Sequence, residues 1–516
     1  MNVLLFSPIF PKTFWSFERV LQLVGRQVLL PPLGLITVAA LLPQDWNFRL
    51  VDRNIAPALE ADWQWADLIV ISAMMVQKAD FLFLIQEGKR RGKRVAVGGP
   101  YPTSLPEEAL AAGADYLVLD EGEHTIPMFV QALAQGDPQG IFRSPDKPDI
   151  TQTPIPRYDL LNLSAYDSMS VQFSRGCPFQ CEFCDIIVLY GRKPRTKTPE
   201  QLLAELQTLY DLGWNRSVFV VDDNFIGNQR NVKVLLRQLI PWMQERGYPF
   251  SFITEASVNL AEDPELLELM VEAGFDSVFL GIETPDEASL DLTKKFQNNR
   301  QPLVESCQRI TQAGLRLLAG FIIGFDGEKA GAGQRIVQFV EETGIPDAMF
   351  SMLQALPGTA LWARLEKEGR LRDLGTGMNQ STLMNFEPTR PLQQIAEEYV
   401  QAFWELYEPE RFLRRCYRYA LQLGSPKGKR PFKLPQWPEV RGLLTVAWLQ
   451  GIQRAETRRL FWSQLWSLWQ NNPAAIVPYL TVCAHGEHFF EFRQEVRQQI
   501  GSQLAEQITH RDLERV

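Results

Sequence analysis

Three of the six cysteines in this 516-residue chain fall within eight positions, Cys177, Cys181 and Cys184, in the stretch Ser174-Arg175-Gly176-Cys177-Pro178-Phe179-Gln180-Cys181-Glu182-Phe183-Cys184-Asp185. Thiolates spaced Cys-x3-Cys-x2-Cys on one loop can converge on a single metal centre. Thiolate is the soft ligand that iron–sulfur clusters and zinc prefer. A closed structural site takes a fourth ligand. Cys307, Cys416, Cys483 and the histidines His124, His485, His488 and His510 all lie too far off in sequence to supply one from the same loop. Three ligands on a four-iron cube leave one iron open, and an open metal position is where a substrate chelates. Buried structural cysteines have no reason to adopt this spacing.

The elements around the loop follow an α/β rhythm. Over residues 1–140 the apolar runs Val3 to Ser7, Phe48 to Asp52, Leu68 to Ser72, Arg94 to Gly98 and Tyr116 to Leu119 alternate with helical patterns, which predicts a doubly wound parallel sheet. Ligands in such sheets sit beyond the carboxyl ends of the strands. Those ends are Ser72, the turn Gly98-Gly99-Pro100-Tyr101-Pro102-Thr103, and Asp120-Glu121-Gly122-Glu123. Paired glycines let backbone approach a bulky ligand, although a plain tight turn explains them as well. Phe14, Trp15 and Phe17 after the first strand, with Pro31-Pro32-Leu33-Gly34, read either as cover for a ligand face or as core packing. Residues 141–168, with Pro145, Pro148, Pro154 and Pro156, read as a linker.

Strand–helix alternation resumes over 169–365, where chemistry belongs at strand ends. Asp222 and Asp223 end one strand, and their carboxylates can accept hydrogen bonds from an ammonium; a helix N-cap explains one of them easily and two less easily. Glu255, then Gly281 and Glu283, end the next two, and Gly320-Phe321-Ile322-Ile323-Gly324-Phe325 follows. The run Gly191-Arg192-Lys193-Pro194-Arg195-Thr196-Lys197 lies beside an anionic ligand or is a solvated charge run. Cys307 reads as core. From 366 to 516 the pattern is helical, chiefly Leu392 to Tyr407 and Val440 to Trp469. Phe461, Trp462, Leu465, Trp466 and Trp469 form an aromatic stripe beside Arg458 and Arg459. That stripe packs on the rest of the chain, or meets a greasy substrate or a peripheral membrane surface. Cys483-x-His485-x-x-His488 lacks a fourth partner and predicts no metal site.

A net charge of -9 excludes a general nucleic-acid binder, whose phosphate contacts need a basic face. Met1-Asn2-Val3-Leu4-Leu5-Phe6 runs straight into a strand pattern without a secretory n-region, and no apolar run reaches spanning length. The reducing cytoplasm is the expected compartment.

The cysteine spacing, with Phe183 before its last member, resembles the radical S-adenosylmethionine (SAM) superfamily. With the sheet ahead of it, the whole chain resembles the cobalamin-binding radical SAM proteins that carry a helical C-terminal domain, similar to hopanoid methylases and Mg-protoporphyrin ester cyclase relatives. The resemblance implies a cobalamin-binding domain at 1–140, a partial (β/α)6 barrel at 169–365 and a helical domain at 366–516. Cys177, Cys181 and Cys184 would hold a [4Fe-4S] cluster, and Phe183, Asp222, Asp223, Glu255, Gly281 and Glu283 would meet SAM, with Asp223 first at its amino group. Ser72, Gly98, Gly99, Pro100, Thr103, Glu121 and Gly122 would meet cobalamin. No Asp-x-His-x-x-Gly follows the first strand, so no protein imidazole is expected beneath cobalt, and His124 reads as a surface or tail contact. Asp120 stands where the subgroup more often has glycine. The implied activity is methylation of an unactivated carbon through a 5'-deoxyadenosyl radical and methylcobalamin, with an electron donor of flavodoxin or ferredoxin type. Oxidative cyclisation or rearrangement without methyl transfer is the second reading, and a cofactor carrier the third.

Overall fold

The computed structural model describes residues 1–372, 380–424 and 437–513, with side chains to residue 507, so that the side chain of His510 lies outside it. The chain falls into two compact units. The first comprises residues 1–12, 27–178 and 185–223, and the second residues 13–26, 179–184 and 224–516.

In the first unit six strands, β1 (Asn2–Ser7), β2 (Asn47–Asp52), β3 (Leu68–Ser72), β4 (Arg94–Gly98), β5 (Tyr116–Val118) and β6 (Gly140–Phe142), form a parallel sheet in the order β2-β1-β3-β4-β5-β6. The strands read as unbroken apolar runs because both faces are covered. Leu4, Phe6, Ile69, Ile71, Val95 and Val97 pack on one side with Phe81 and Leu84 of helix Lys78–Arg90, while Val3, Leu5, Leu68 and Val70 pack on the other with Ile126 and Phe129 of helix Gly122–Gln135. Strand order reverses between β1 and β3, which is the switch point where such sheets bind ligands. The predicted linker is part of this unit: it supplies β6, and Tyr158 and Tyr166 are fully buried, donating to Ser170 O and Asp52 Oδ2 at 2.9 Å each. After β6 its prolines leave only the short 3₁₀ turns Ile150–Gln152, Tyr158–Leu160 and Leu163–Ala165, without preventing packing.

Also in the first unit, β7 (Met169–Val171) pairs in parallel with β10 (Ser217–Val220), and β8 (Ser174–Arg175) pairs antiparallel with β9 (Arg195–Thr196). The second unit has a parallel sheet of β11 (Ser251–Ala256), β12 (Phe275–Glu283), β13 (Arg316–Ile323) and β14 (Asp347–Met352), alternating with helices Pro264–Ala273, Leu303–Ala313 and Ala332–Thr343. Helices Leu392–Leu406, Pro409–Gln422, Trp437–Trp448, Arg458–Asn471 and Ile476–Leu513 follow. Phe14 belongs to the core of this second unit: its ring stacks on Phe489 at 4.2 Å and lies 6.1 Å from Phe403. Phe17 packs on His485 and Phe489. Of the two readings of that aromatic cluster, core packing is the one the structure has for Phe14 and Phe17. Among the described residues no helix is long and apolar enough to cross a membrane.

Candidate functional site

The cysteine loop is tied down at its base by Asp222. Its Oδ1 accepts the Phe173 N–H at 2.7 Å, and its Oδ2 accepts the N–H and hydroxyl of Ser174 at 2.8 and 2.7 Å. Burial raises this carboxyl to about 6, less than it would without those donors. Asp222 is thus a clamp on the loop, and its neighbour is the freer acceptor. Asp223 takes a backbone bond from Gly176, yet its Oδ2 is buried and has no hydrogen-bond partner among the described residues. Burial and the adjacent Asp222 push it up to about 7. An orphaned buried carboxylate oxygen is a place made for a donor that the protein itself does not provide. Neither aspartate is the N-cap of the turn that follows; Asn224 is.

That shift carries a pH signature. Unfolded, Asp223 titrates near its ordinary 3.8; folded, it titrates near 7, so between these values the folded chain holds the extra proton and stability falls as pH rises. Asp223→Asn in the cofactor-free chain is expected to flatten this slope, by on the order of 1–3 kcal/mol between about pH 5 and 8. Urea midpoints across that range are the measurement, and equal slopes in both proteins would remove Asp223 as the cause.

A second anchor reaches the loop within the first unit. Arg175, two residues before Cys177, is largely covered and pairs with Glu121 at 2.9 Å and Glu123 at 2.9 Å, while Arg195 pairs with Glu121 at 2.8 Å. Although burial opposes its ionisation, Glu123 is held down to about 2 by Arg175. The Glu121 carboxylate therefore faces two guanidiniums, and the residue offers a ligand only its backbone. Lys197 pairs with Glu205, both buried. The basic run is accordingly neither solvated nor turned to an open site at Arg195 and Lys197: those charges face internal carboxylates.

In the second unit the loop residues meet a lysine that sequence reasoning missed. Cys181 is buried, and burial pushes its thiol up, offset in part by Lys295. Burial would lower the Lys295 ammonium, but Glu283, Cys181 and Cys184 together hold it raised. Lys295 is hydrogen-bonded to Glu283 and lies 5.9 Å from the ring centre of Phe183. Gln297 approaches the Cys181 sulfur at 3.8 Å, and the Glu182 N–H bonds Thr293 O, so the segment 293–297 backs the loop. Glu283 sits at a strand irregularity with φ 64°. Gly281 leaves room for the tips of this ion pair, since a Cβ there would lie 2.5 Å from Glu283 Oε1 and 2.7 Å from Lys295 Nζ and would displace them. The one signal for Lys295 in the sequence was a glutamate ending an apolar strand, which needs a counter-charge if buried. Glu255 is half-buried on β11. Trp15, Phe279 and Met349, all half-buried, form an apolar cluster in the same unit, with the indole 5.5 Å from Phe279 and its N–H directed at the Met349 sulfur.

At the switch point of the first sheet, Ile9, Phe10 and Met74 beyond β1 and β3 are exposed apolar side chains. The loop bearing two of them is fixed by bonds from the Ile9 and Phe10 N–H groups to Asp80 and Asn54. Such a shelf suits a broad, partly apolar ligand. Gly99 has φ 94°, and a Cβ there would strike Ser72 Oγ at 2.7 Å, so this glycine also serves strand-end packing. Thr103 accepts the Asp120 N–H, and His124 lies 3.3 Å from Ser144 Oγ.

The Cys483–His488 segment is structural: His485 Nδ1 sits 3.1 Å from Asp347, and His488 Nε2 is 2.9 Å from Thr13 O. Cys307 is core, with its thiol pushed up to about 12 by burial. No cysteine is in a disulfide, and among the described residues no three His, Cys, Asp or Glu side chains are already gathered around a metal-sized point. What the loop offers an iron–sulfur cluster is its chemistry: three soft sulfur donors with a buried cation beside two of them, which favours thiolate.

Three family models match the chain: the B12 binding domain over residues 23–130, the radical SAM superfamily over 171–340, and a domain of unknown function, DUF4070, over 359–502. The chain is 61% identical to "Uncharacterized methyltransferase sll1242" of Synechocystis sp., over 100% of this chain and 96% of that one. It is 36% identical to the hopanoid C-2 methylase of Rhodopseudomonas palustris, over 89% and 88%. Among solved structures, the radical SAM methyltransferase TsrM from Kitasatospora setae with cobalamin and a [4Fe-4S] cluster has a TM-score of 0.62 at 15% identity, over 93% of this chain and 98% of that one. The cobalamin-dependent radical SAM enzyme OxsB with aqua-cobalamin and SAM has a TM-score of 0.60 at 15% identity, over 98% and 81%.

Proposed function

This chain belongs to the cobalamin-binding radical SAM methyltransferase family, and from that membership we propose that it methylates an unactivated carbon of an apolar, lipid-like small molecule. The family's [4Fe-4S] cluster, SAM and cobalamin, when bound, supply a carbon-centred radical and a methyl group to a substrate that offers no acidic proton or nucleophile. In this reading Cys177, Cys181 and Cys184 hold the cluster, and Asp222 and Arg175 fix the start of their loop. The open oxygen of Asp223 accepts the SAM ammonium, and Lys295 balances the charge of the thiolates. The backbone at Gly98, Gly99 and Gly122, with Ile9, Phe10 and Met74, carries cobalamin. Trp15, Phe279 and Met349 give the substrate an apolar wall and exclude water. Reduction comes from a one-electron donor of flavodoxin or ferredoxin type. The observation that carries the substrate class is the 36% identity to a relative named for hopanoid methylation, together with that wall.

The reading is tested with anaerobically loaded enzyme, reductant, SAM labelled in its methyl group, and a pentacyclic hopanoid. Label is expected in the lipid, with 5'-deoxyadenosine formed alongside. Deoxyadenosine without labelled lipid across a panel of apolar scaffolds would instead favour oxidation or rearrangement, and protein with iron but no cobalt after reconstitution would end the methyl-transfer reading.

A further inference from the structure

The aromatic stripe of the C-terminal region divides into two faces. On helix Arg458–Asn471, Phe461, Gln464 and Leu468 turn inward and are buried, while Trp462, Trp466 and Trp469 recur at helical spacing on the outward face. On the neighbouring helix Trp437–Trp448, Gly442 and Val446 are buried, Gly442 lying against Val24; Leu444, Trp448 and then Ile452 face outward. The two outward faces join where the Trp462 indole N–H donates to Gly451 O at 2.7 Å, next to Ile452, and the rings of Trp466 and Trp469 lie 5.1 Å apart. These six side chains are 46% (Trp462) to 62% (Leu444) exposed. Soluble surfaces rarely keep so much contiguous apolar area without a partner.

Charge narrows the partner. The chain carries -9 overall, yet residues 437–472 hold four arginines against two glutamates. Arg454 is paired with Glu487, whereas Arg441, Arg458 and Arg459 are exposed around the patch. Arg458 and Arg459 stand in the first turn of their helix, where the macrodipole disfavours cations, so helix stability does not account for them. Tryptophan beside arginine is the composition of a face that rests at the headgroup level of a bilayer, with indoles at the interface and guanidiniums on anionic headgroups. We propose that the outward face of helices Trp437–Trp448 and Arg458–Asn471 docks the enzyme on the surface of an anionic lipid bilayer, lying on it rather than spanning it. This holds whatever the substrate proves to be.

The test uses the full-length chain with vesicles of phosphatidylcholine alone and of phosphatidylcholine mixed with phosphatidylglycerol. Co-sedimentation is expected with the mixed vesicles, weakened by salt, with quenching of tryptophan fluorescence by lipids brominated along their chains. The combined variant Trp462→Ser, Trp466→Ser, Trp469→Ser is expected to bind about tenfold or more weakly. Arg458→Gln with Arg459→Gln is expected to lose the preference for the anionic mixture while keeping the same circular dichroism spectrum. No sedimentation with either vesicle, or equal binding by the tryptophan variant, would overturn the proposal. So would a concentration-dependent dimer that the tryptophan variant abolishes without any vesicle binding, because the face would then belong to a second copy.

Discussion

Cys184→Ser is expected to leave a folded chain that takes up no stable iron–sulfur cluster, with 5'-deoxyadenosine formation falling to the background of the cofactor-free protein. Serine keeps the shape but replaces a soft, readily ionised sulfur with a hard hydroxyl that stays protonated near neutral pH. Cys184 is only half-buried, so its replacement should move stability by less than about 1 kcal/mol. The loss is therefore readable as chemistry rather than unfolding. Cys307→Ser is the control: that thiol is buried in the core, and its variant should keep full iron content at some cost in stability. Iron and sulfide per chain after anaerobic reconstitution decide the matter, and normal loading of the Cys184 variant would take that residue out of the ligand set.

Glu283→Ala is expected to destabilise the cofactor-free chain by about 3–5 kcal/mol, because it strands the Lys295 ammonium in a buried site. Replacing both members, Glu283→Gln with Lys295→Met, should recover most of that loss, since two uncharged side chains demand no counter-charge. The same double variant removes the cation beside Cys181 and Cys184, so it should fold yet hold thiolate less readily. Guanidinium midpoints separate the effects: a single variant within about 1 kcal/mol of the parent would mean that water reaches Lys295.

The strands were legible because they are buried on both faces. Val3 to Ser7 and Leu68 to Ser72 are apolar without interruption, and no helix of such length bounded by turn residues competes with that reading. β6 was not, since Gly140-Ile141-Phe142 is three residues among prolines. The cysteine loop declared itself through spacing. The division of labour between Asp222 and Asp223 did not, because adjacent carboxylates look alike until one is seen accepting from Phe173 and Ser174. The pairing of Arg175 with Glu121 joins residues 54 apart in sequence, and no periodic pattern records such a partner. Likewise Phe461 and Trp462 are adjacent, large and apolar, and nothing in their residue types shows that the first is buried and the second exposed.

Phe14 and Thr13 belong to the second unit, and Thr13 O accepts from His488 across 475 residues of chain. The seat for this segment does not exist until His488 and Phe489 have been made. At the usual pace of translation that is a wait of roughly 25–95 s after the segment itself is made. During it β1 and its neighbours can fold, but Phe14 and Phe17 in the segment leaving β1 have no Phe489 or His485 to pack on and stay exposed. A fragment ending after the first sheet would carry that exposed stretch permanently, and a chain lacking its last helix would leave Phe14 without its stacking partner Phe489.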